Sequence, residues 1–380
     1  MRPHLELLGD LTHSFYEAAV HPELWTATLD KASAVLGADG ACLLSFPSSP
    51  VGAVWSPGLD GLAQAFFGQG WHANNERLAR AIPKRHLNAV LTESDLFTPE
   101  ELETHPFNAD FINAQGFRWN AGCFLCEVDG WSTSFTVERR AKRERFASPE
   151  MEAMAHLLPH MRRAAQVASR LALAKGEGML DAFDNMCCAA ILLSCTGRVH
   201  RYNRHTAQYL NREVRIVQGC LTTCNNNSNG ALQRLIGSAL GTPGKTPLHG
   251  QTLATITRRD PGKRPLFALA MPIVGAAQDV FQHSRAMILL IDPDAQLSPP
   301  ELILRHGFSL TPAETRLAVA LATGVTVNEF AEKQHIAVGT ARFQLKSIMA
   351  KTSTHRQADL VALLARLSLF PPEREQAKTA

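Results

Sequence analysis

The sequence lacks the features of membrane-bound and secreted proteins. None of its segments approaches the roughly 18–20 uninterrupted apolar residues of a membrane-spanning helix. Residues 1–11 carry no basic region that leads into an apolar run, so we expect no signal peptide. Eight cysteines in 380 residues are too few for a disulfide scaffold and are expected to be reduced thiols. Together these absences predict a cytoplasmic protein.

The sequence also lacks the short motifs of several enzyme classes. It contains no Gly-x-x-x-x-Gly-Lys-Ser/Thr phosphate loop, no Gly-x-Ser-x-Gly nucleophile turn, no His-Glu-x-x-His zinc motif and no complete Gly-x-Gly-x-x-Gly. No clustered acidic pair ends an N-terminal strand, as a phosphorylated receiver domain would require. We therefore predict that the chain is not an enzyme and has no catalytic residue and no metal ligand. The sequence by itself requires no cofactor, and whether one binds stays open.

Composition and charge indicate folded domains but no partner. With 45% apolar and 19% charged residues, the chain falls outside the collagen-like, disordered and low-complexity classes. Its length predicts two or three domains. The net charge of +3 is too small to indicate nucleic-acid binding by itself, so a DNA-binding surface would need a local concentration of basic residues.

Residues 1–147 are predicted to form a GAF-like α+β sensory domain. Strand-like runs occur at residues 41–46, 122–128 and 132–137, between helix-like stretches. Asp129-Gly130 lies between the last two runs and is a two-residue hairpin signal. The pattern therefore indicates an antiparallel sheet with helices.

Residues 148–175 are predicted to form a connector helix. Ser148 and Pro149 suit an N-cap and first helical position, apolar residues then recur every three or four positions, and Gly176-Glu177-Gly178 is expected to end the helix. Exposed apolar residues on such a helix commonly pair with a second copy, which predicts a homodimer. The alternative is that the helix packs on its own first domain.

Residues 179–296 are predicted to form a small α/β domain. Strands are expected near 190–193, 198–200, 252–257, 266–273 and 285–291, with a helix at 203–210 and a polar loop at 225–230. The run Ser194-x-x-Gly197-Arg198-Val199-x-x-x-Asn203, followed by Ala207 and Leu210, resembles the opening of a PAS domain. The resemblance implies a PAS-like sensor fold.

Residues 297–368 carry repeated helix-start signals, and a tail follows at 369–380. A Ser or Thr precedes a Glu or Gln by three positions in four places: Ser298 with Glu301, Thr311 with Glu314, Thr326 with Glu329, and Thr354 with Gln357. Each pair predicts a capping box, in which the two residues satisfy free N–H groups at a helix start. Five short helices are expected, which makes this domain all-α.

Two of these helices have the dimensions of a helix-turn-helix. Residues 326–334 and 338–351 are joined by a tight turn at 335–337. One face of the second helix is apolar and consists of Ala341, Leu345, Ile348 and Met349. The opposite face consists of Arg342, Phe343, Lys346 and Ser347. It contains no acidic residue, so it supplies the local positive charge that the whole-chain total conceals.

The C-terminal residues resemble the LuxR-type helix-turn-helix domain of bacterial transcription regulators. The likeness runs through Leu310-Thr311-Pro312-Ala313-Glu314-x-Arg316-Leu317-Ala318, Gly324, Glu329-Phe330-Ala331, Gly339-Thr340-x-Arg342-x-x-Leu345-Lys346 and Lys351-Thr352-x-Thr354-x-Arg356-Gln357-x-x-Leu360. Order and spacing both fit over about one fifth of the chain. The resemblance implies a domain whose third helix enters the major groove of double-stranded DNA.

The resemblance also assigns roles to individual residues. Base contacts would come from Arg342, Phe343 and Lys346, and phosphate contacts from Thr340, Ser347, Lys351 and Arg356. Two positions depart from the family pattern. Ala337 stands where the family usually has a Ser that caps the recognition helix, and Phe343 places an apolar ring where it would touch a thymine methyl group.

Aromatic residues of the first domain predict a ligand pocket. The stretch from Trp55 through Phe66-Phe67, Trp71 and Asn74-Asn75-Glu76 resembles the autoinducer-binding domain of quorum-sensing LuxR-type regulators. The Asp-Pro pair that holds the signal's amide in that family is absent near Asn74-Asn75, so an acyl-homoserine lactone is not expected. A GAF-like pocket for a small molecule would be lined by residues from the set Trp55, Phe66, Trp71, Phe117 and Trp119. The alternative is that these aromatic rings belong to the core.

The cysteines leave a metal or redox alternative open. Five of them lie in the middle segment with His200 and His205 between them: Cys187, Cys188, Cys195, Cys220 and Cys224. No Cys-x-x-Cys with a matching second pair occurs there, and buried small apolar residues are the competing interpretation. Cys123 and Cys126, three apart on a predicted strand, should point to opposite faces.

The sequence thus predicts an α+β multidomain transcription regulator. Its N-terminal domains would sense a small molecule or a partner and control a dimeric helix-turn-helix reader. Three alternatives stay open: a metal- or redox-sensing regulator that uses the cysteines of the PAS-like domain, an enzyme controlled by nucleic acid, and a front half that serves only for dimerisation.

Overall fold

A computed structural model describes residues 2–46, 52–87, 89–240, 253–258, 260, 262–273, 280–295 and 298–368. Its α-helices are α1 (Arg2–Val20), α2 (Trp25–Val35), α3 (Asp60–Gly68), α4 (Glu76–Ala81), α5 (Glu93–Leu96), α6 (Glu101–Thr104), α7 (Ser148–Asn185), α8 (Asn226–Leu240), α9 (Pro312–Ala322), α10 (Val327–Lys333), α11 (Val338–Lys351) and α12 (Gln357–Leu367). Phe107–Asn113 and Ile303–Gly307 are π-helical. The predicted tail at 369–380 lies outside the described residues.

The strands of the described ranges form two five-stranded sheets and one separate hairpin. They are β1 (Gly40–Phe46), β2 (Gly52–Trp55), β3 (Leu91–Thr92), β4 (Phe117–Val128), β5 (Trp131–Arg140), β6 (Ala189–Ser194), β7 (Val199–Tyr202), β8 (Val214–Val217), β9 (Cys220–Thr223), β10 (Leu253–Ile256), β11 (Leu266–Pro272) and β12 (Ser284–Ile291). The chain is therefore a mixed helix and strand protein with several sheets, as predicted.

The first sheet is antiparallel in the order β2-β1-β5-β4-β3. The predicted hairpin joins β4 to β5, because Val128 pairs with Trp131 and leaves only Asp129 and Gly130 in the turn. Both turn residues have positive φ, 53° and 76°, which is the backbone that Asp-Gly turns supply. Period-two alternation divides the sheet into two faces.

One face of the first sheet packs against α1, α2 and α7. Its buried residues include Leu43, Phe135 and Val137, which meet Phe15 of α1 and Leu157 of α7. The other face is covered by α3, α4 and the π-helical segment 107–113, where a smaller apolar cluster contains Phe66, Phe107 and Phe111. The candidate ligand site lies on this second face.

The second sheet is antiparallel in the order β10-β11-β12-β6-β7. Its five strands match those predicted, and the 3₁₀ helix Arg204–Tyr209 occupies the predicted helix position. The hairpin β8-β9 is an addition that the sequence analysis misses. One face of the sheet packs on α8 and the other on the C-terminal end of α7.

The predicted polar loop at residues 225–230 is wrong, because α8 begins at Asn226. Asn225 holds the helix start with its side-chain Oδ1, which accepts the N–H of Asn227 at 3.1 Å. Leu232, Leu235 and Ile236 then bury one face of the helix against the sheet. Tertiary burial of this face outweighs the weak helix preference of the asparagines.

The connector helix is longer than predicted: α7 has 38 residues and continues through Gly176 and Gly178. Gly176 is buried, and a β-carbon there would lie 3.3 Å from Leu192 of the second sheet. Burial of Leu180 against that sheet stabilises the extra turns. A glycine that looks like a helix end is here a point of close packing.

The connector packs on its own first domain, as the alternative interpretation holds. Met154, Leu157 and Met161 are buried in the first-sheet core. The large apolar side chains that stay exposed on α7 are Val167 at 42% and Leu171 at 48%.

A segment of the middle domain enters the first domain just before β12. Phe281 is fully buried, with its ring centroid 5.4 Å from that of Trp25. His283 stacks on Trp131 with centroids 4.3 Å apart, and His200 Nε2 donates to the carboxylate of Asp129 at 2.8 Å. The first two domains therefore share apolar and polar contacts in addition to α7.

The C-terminal domain has five helical segments, as predicted, but only two of the four capping boxes form. Thr311 accepts the N–H of Glu314 and Thr326 that of Glu329, and each glutamate bonds back to its cap. The prediction for Ser298 is wrong because the helix starts at Glu301. That for Thr354 is wrong because α12 starts at Gln357 and the Thr354 hydroxyl bonds to Thr352 instead.

Candidate DNA-binding helix and ligand cavity

Helix α11 is held by its apolar face. Ala341 and Ile348 are fully buried, Leu345 and Met349 are half-buried, and all four pack in the core that α9, α10 and α12 also build. The turn from α10 is tight because His335 adopts positive φ, 53°. This arrangement matches the predicted helix-turn-helix and fixes which side of α11 faces solvent.

The solvent face of α11 presents Arg342, Phe343 and Lys346. All three are exposed, and the Phe343 side chain is 74% accessible, the most of the exposed large apolar residues in the described ranges. The Arg342 and Lys346 side chains make no hydrogen bond or ion pair with any described residue. Since α11 contains no acidic residue, the face offers two free cations around an exposed ring.

The start of α11 lacks a side-chain cap, as expected from Ala337. The backbone of Ala337 is extended (φ −65°, ψ 138°), but no side chain satisfies the first N–H groups of the helix. Thr340 in the first turn and Arg356 at the start of α12 are both exposed. These two predicted phosphate contacts therefore lie on the surface of the domain.

Lys351 and Ser347 instead form hydrogen bonds with Glu314 of the same domain. Lys351 Nζ donates to Glu314 Oε2 at 2.7 Å and to the Ser309 carbonyl at 3.1 Å, and the Ser347 hydroxyl donates to Glu314 Oε1 at 2.6 Å. Burial raises the pKa of Glu314, but the hydrogen bonds from Lys351, Ser347 and Thr311 outweigh it and lower the pKa to about 2. The family resemblance assigns these two side chains to phosphate contacts. In the structure their hydrogen bonds to Glu314 join α9 to α11.

The first domain contains a cavity of about 120 Å³ between its sheet and the helices that cover the second face. Trp55 and Phe66, two of the predicted pocket residues, line it. Further apolar lining comes from β1, α3 and the π-helical segment, namely Leu44, Leu62, Phe67, Phe107, Phe111 and Ile112. π-Helical segments are rare in proteins, and those that occur are often found at functional sites. The π-helical segment 107–113, which lines this cavity, is therefore consistent with a binding site.

Three predicted pocket residues do not line the cavity. Trp71 stacks on the outer side of Phe111 with ring centroids 5.5 Å apart. Phe117 is buried beneath the guanidinium of Arg140. A β-bulge between Phe117 and Trp119 turns Trp119 to the other face of the sheet, where it packs against the first-sheet core. Sequence alternation alone does not reveal the bulge.

The cavity also holds a buried ion pair that sequence analysis misses. Arg77 Nη1 donates to both carboxylate oxygens of Glu138, at 2.9 and 3.0 Å. The side chains of Arg77 and Glu138 are only 11% and 7% exposed. Asn120 Nδ2 donates to Glu138 at 2.9 Å, and its backbone N–H donates to Glu93. Burial raises the pKa of Glu138, and the Arg77 charge opposes this effect.

A signal for this site is present in β5. Ser134, Thr136 and Glu138 alternate with Phe135 and Val137, so one face of a central strand is polar. A carboxylate on such a face needs a buried partner, which the alternation indicates without identifying Arg77. Asn75, where the autoinducer-binding resemblance lacks its Asp-Pro pair, caps α4 by accepting the N–H of Leu78 at 3.0 Å.

The described cysteines are neither paired in disulfides nor part of a cluster of three or more metal-ligand side chains. Within the described ranges no group of three His, Cys, Asp or Glu side chains could hold a metal ion, and all eight cysteines are free. Cys42 lines the cavity, where burial raises the pKa of its thiol to about 12. Cys123 and Cys126 do not point to opposite faces, because a bulge after Phe124 turns both toward the first-sheet core.

Among the described helices, none combines the length and the apolar character needed to cross a membrane. No protein-family model matches the chain, and no curated protein matches it. Many solved structures resemble the chain, and three of them illustrate how low the scores are. The VqsR LBD domain from Pseudomonas aeruginosa is 13% identical with a TM-score of 0.33, over 43% of this chain and 94% of that one.

Escherichia coli SdiA is 11% identical with a TM-score of 0.30, over 92% of this chain and 91% of that one. The phage VqmA–DPO complex is 14% identical with a TM-score of 0.22, over 52% of this chain and 93% of that one. These TM-scores are too low to assign a fold or a function to the chain.

Proposed function

We propose that the chain is a DNA-binding transcription regulator of the LuxR type, and that a small molecule bound in the first-domain cavity controls it. One observation carries the proposal: α11 packs one face into a helix-turn-helix core and presents Arg342, Phe343 and Lys346 to solvent with no acidic neighbour on the helix. Such a face suits the major groove of DNA. The proposal assigns no catalytic reaction to the chain.

The exposed residues divide into two roles. Arg342 and Lys346 would donate to base edges, and the Phe343 ring would contact a thymine methyl group. Thr340 and Arg356 would contact phosphates, which add affinity without sequence preference. Lys351 and Ser347 are left out of the phosphate set because Glu314 already engages their polar atoms.

Two copies of the chain would bind together, with reading helices about one DNA turn, roughly 34 Å, apart. The exposed Val167 and Leu171 on α7 are the apolar contacts that α7 leaves available for a second copy. Sedimentation and footprinting of the full chain test this part. A monomer that protects a single half-site would contradict it.

Selection of binding sites from a random DNA pool tests the reading helix. We expect Lys346→Ala to weaken the selected site by about ten- to a hundredfold and random DNA much less, because a base contact is lost. Arg356→Ala should weaken all sequences and lower the salt slope by about one unit. Lys142→Ala, an exposed lysine of the first domain, is the matched control and should change neither.

Lys351→Met distinguishes the two assignments of Lys351. Because it leaves the buried Glu314 carboxylate short of one partner, we expect a loss of about 2 kcal/mol in the stability of the C-terminal domain. The salt slope of DNA binding should stay unchanged under folded conditions. A lower salt slope of DNA binding with unchanged stability would instead show that Lys351 contacts a phosphate. A wild-type chain that enriches no sequence would overturn the proposed function.

A further inference from the structure

Arg77 lines the cavity, and the hydrogen-bond donors of its guanidinium are only partly satisfied. Its Nη1 serves both oxygens of Glu138, but Nε and Nη2 are buried and have no hydrogen-bond partner among the described residues. A buried donor without a partner costs about 1–3 kcal/mol, and more when it is charged. Two such donors on one side chain indicate that something else completes the site.

The free donors lie together. In a guanidinium whose Nη1 is engaged separately, the Nε–H and one Nη2–H bond point along the same edge of the planar group. This edge matches the two oxygens of a carboxylate and binds them through parallel hydrogen bonds. The edge therefore selects a carboxylate by its geometry as well as by its charge. A lysine ammonium, which acts as a point charge, would not select this geometry.

Most of the remaining lining is apolar, and the polar exceptions besides Glu138 are Asn75, Asn120, Ser134 and Thr136. Arg77 lines the cavity beside Leu62, Phe66, Phe107, Phe111 and Ile112, and its guanidinium carbon lies 6.0 Å from the Phe107 ring centroid. Since Cys42 and Thr136 hydrogen-bond each other at 2.9 Å, their polar atoms are already satisfied. An occupant would gain hydrophobic contacts over most of its surface and polar contacts at one end.

We propose that the cavity binds an organic molecule with an apolar body and a terminal carboxylate, whose two oxygens take the free Nε–Nη2 edge of Arg77. The inference rests on the proposed function, since it names the chemical class of the controlling ligand. It differs from the amide recognition implied by the autoinducer-binding resemblance, because the polar contact is an arginine and not an aspartate.

The charge balance predicts a proton uptake. A ligand carboxylate adds a second negative charge beside Arg77, which already faces Glu138, with Glu93 also buried nearby. Because two buried carboxylates would then share one guanidinium, we expect Glu138, whose pKa burial already raises, to take up a proton as the ligand enters. The bound state then has one ligand carboxylate paired with Arg77 and one neutral Glu138.

Calorimetric titration of the full chain with decanoate, methyl decanoate and decylamine tests this inference. We expect decanoate to bind about ten- to a hundredfold more tightly than its methyl ester, and decylamine not to bind. Titrations in buffers of different ionisation enthalpy should show net proton uptake with decanoate only. The inference is overturned if decanoate and its methyl ester bind with equal affinity, or if decanoate does not bind.

Variants identify the contact. Arg77→Met/Glu138→Met removes the pair together, so no buried charge is left alone, and it should lower decanoate affinity at least tenfold while methyl decanoate binds as before or better. Arg85→Met, an exposed arginine outside the cavity lining, is the control and should bind decanoate like the wild type. Full decanoate affinity in the double variant contradicts the assignment.

DNA affinity measured with and without decanoate separates this inference from the proposed function. If decanoate binds through Arg77 but leaves DNA affinity unchanged, the carboxylate site stands and the sensing half of the proposed function fails. If methyl decanoate binds as tightly as decanoate and alters DNA affinity, the sensing role stands and the carboxylate inference fails.

Discussion

The two five-stranded sheets have the same strand order, but one covers a cavity and the other a filled apolar core. When the strands are numbered in chain order within each sheet, and the second sheet is read from β7 to β10, both run second, first, fifth, fourth, third. On the first sheet, the face away from α7 carries a cavity and the buried pair Arg77–Glu138. On the second, the face away from α7 is filled by α8, whose Leu232, Leu235 and Ile236 meet apolar strands. One topology thus supports a hollow site and a solid core.

The difference lies in the central strands and in what covers them. The side chains of β5 that face the cavity are polar, namely Ser134, Thr136 and Glu138. Those of the corresponding strand β12 that face α8 are apolar, namely Ala286, Ile288 and Leu290. A hollow with a buried ion pair stabilises a fold less than a packed apolar interior does. The first sheet therefore has room for a ligand where the second has a packed apolar core.

Breaking the ion pair should produce the largest effect. Arg77→Met leaves the Glu138 carboxylate buried without its main partner, so we expect a loss of about 3–5 kcal/mol in unfolding free energy. Denaturant titration at neutral pH measures it. Arg77→Met/Glu138→Met should recover most of this loss, and equal stability of the single variant and the wild type would show that the pair is not isolated from water.

Matched truncations of leucine compare the two interiors directly. Leu235→Ala opens a void in the filled domain, where Leu235 is fully buried, and should cost about 3 kcal/mol. Leu62→Ala only enlarges an existing cavity and should cost about 1–2 kcal/mol. Denaturant midpoints at unchanged slope report both values. The reverse order would mean that the cavity is filled in solution.

Acid should weaken the joint between the two domains. Burial, together with repulsion from His200 and Arg285, lowers the pKa of His283 to about 3, although Asp129 acts in the opposite direction. The unfolded chain then binds more protons than the folded chain below about pH 6.5, so stability falls as pH decreases from there. One such histidine contributes up to about 1.4 kcal/mol per pH unit. His283→Gln should remove that part of the pH dependence, and an unchanged profile would contradict it.

The smallest expected effect concerns the shared helix. Gly178 lies inside α7 with open space around its missing β-carbon, so Gly178→Ala should stabilise the chain by roughly 0.5–1 kcal/mol. Gly176→Ala is the comparison and should gain less, because the new methyl group would press on Leu192 at 3.3 Å. Thermal midpoints of the two variants distinguish open helix surface from close packing between α7 and the second sheet.

Local signals predict those parts of the fold that local interactions determine. The Asp129-Gly130 turn, the caps at Thr311 and Thr326, and the apolar face of α11 all follow from backbone preference or side-chain spacing over a few residues. The same holds for the exposed position of Arg342 and Lys346, since they lie opposite that apolar face.

Long-range contacts account for what the sequence does not predict. The α7 helix passes Gly176 because the second sheet buries it, and α8 forms from an asparagine run because Leu232 and Leu235 meet that sheet. Arg77 and Glu138 are 61 positions apart, and Lys351 and Glu314 are 37 apart. The two residues of each pair lie on elements that are far apart in the sequence. Neither ion pair can therefore be predicted from the residues that surround one partner.

The α7 helix and the Phe281 contact have a thermodynamic consequence. Residues of α7 belong to the cores of both sheets, and Phe281 of the middle domain lies in the core of the first. Neither sheet can unfold without exposing apolar surface of the other, so the two should melt as a single cooperative unit. The C-terminal helices have a core of their own, drawn only from residues 304–367. Heat denaturation of the chain should therefore pass through two transitions.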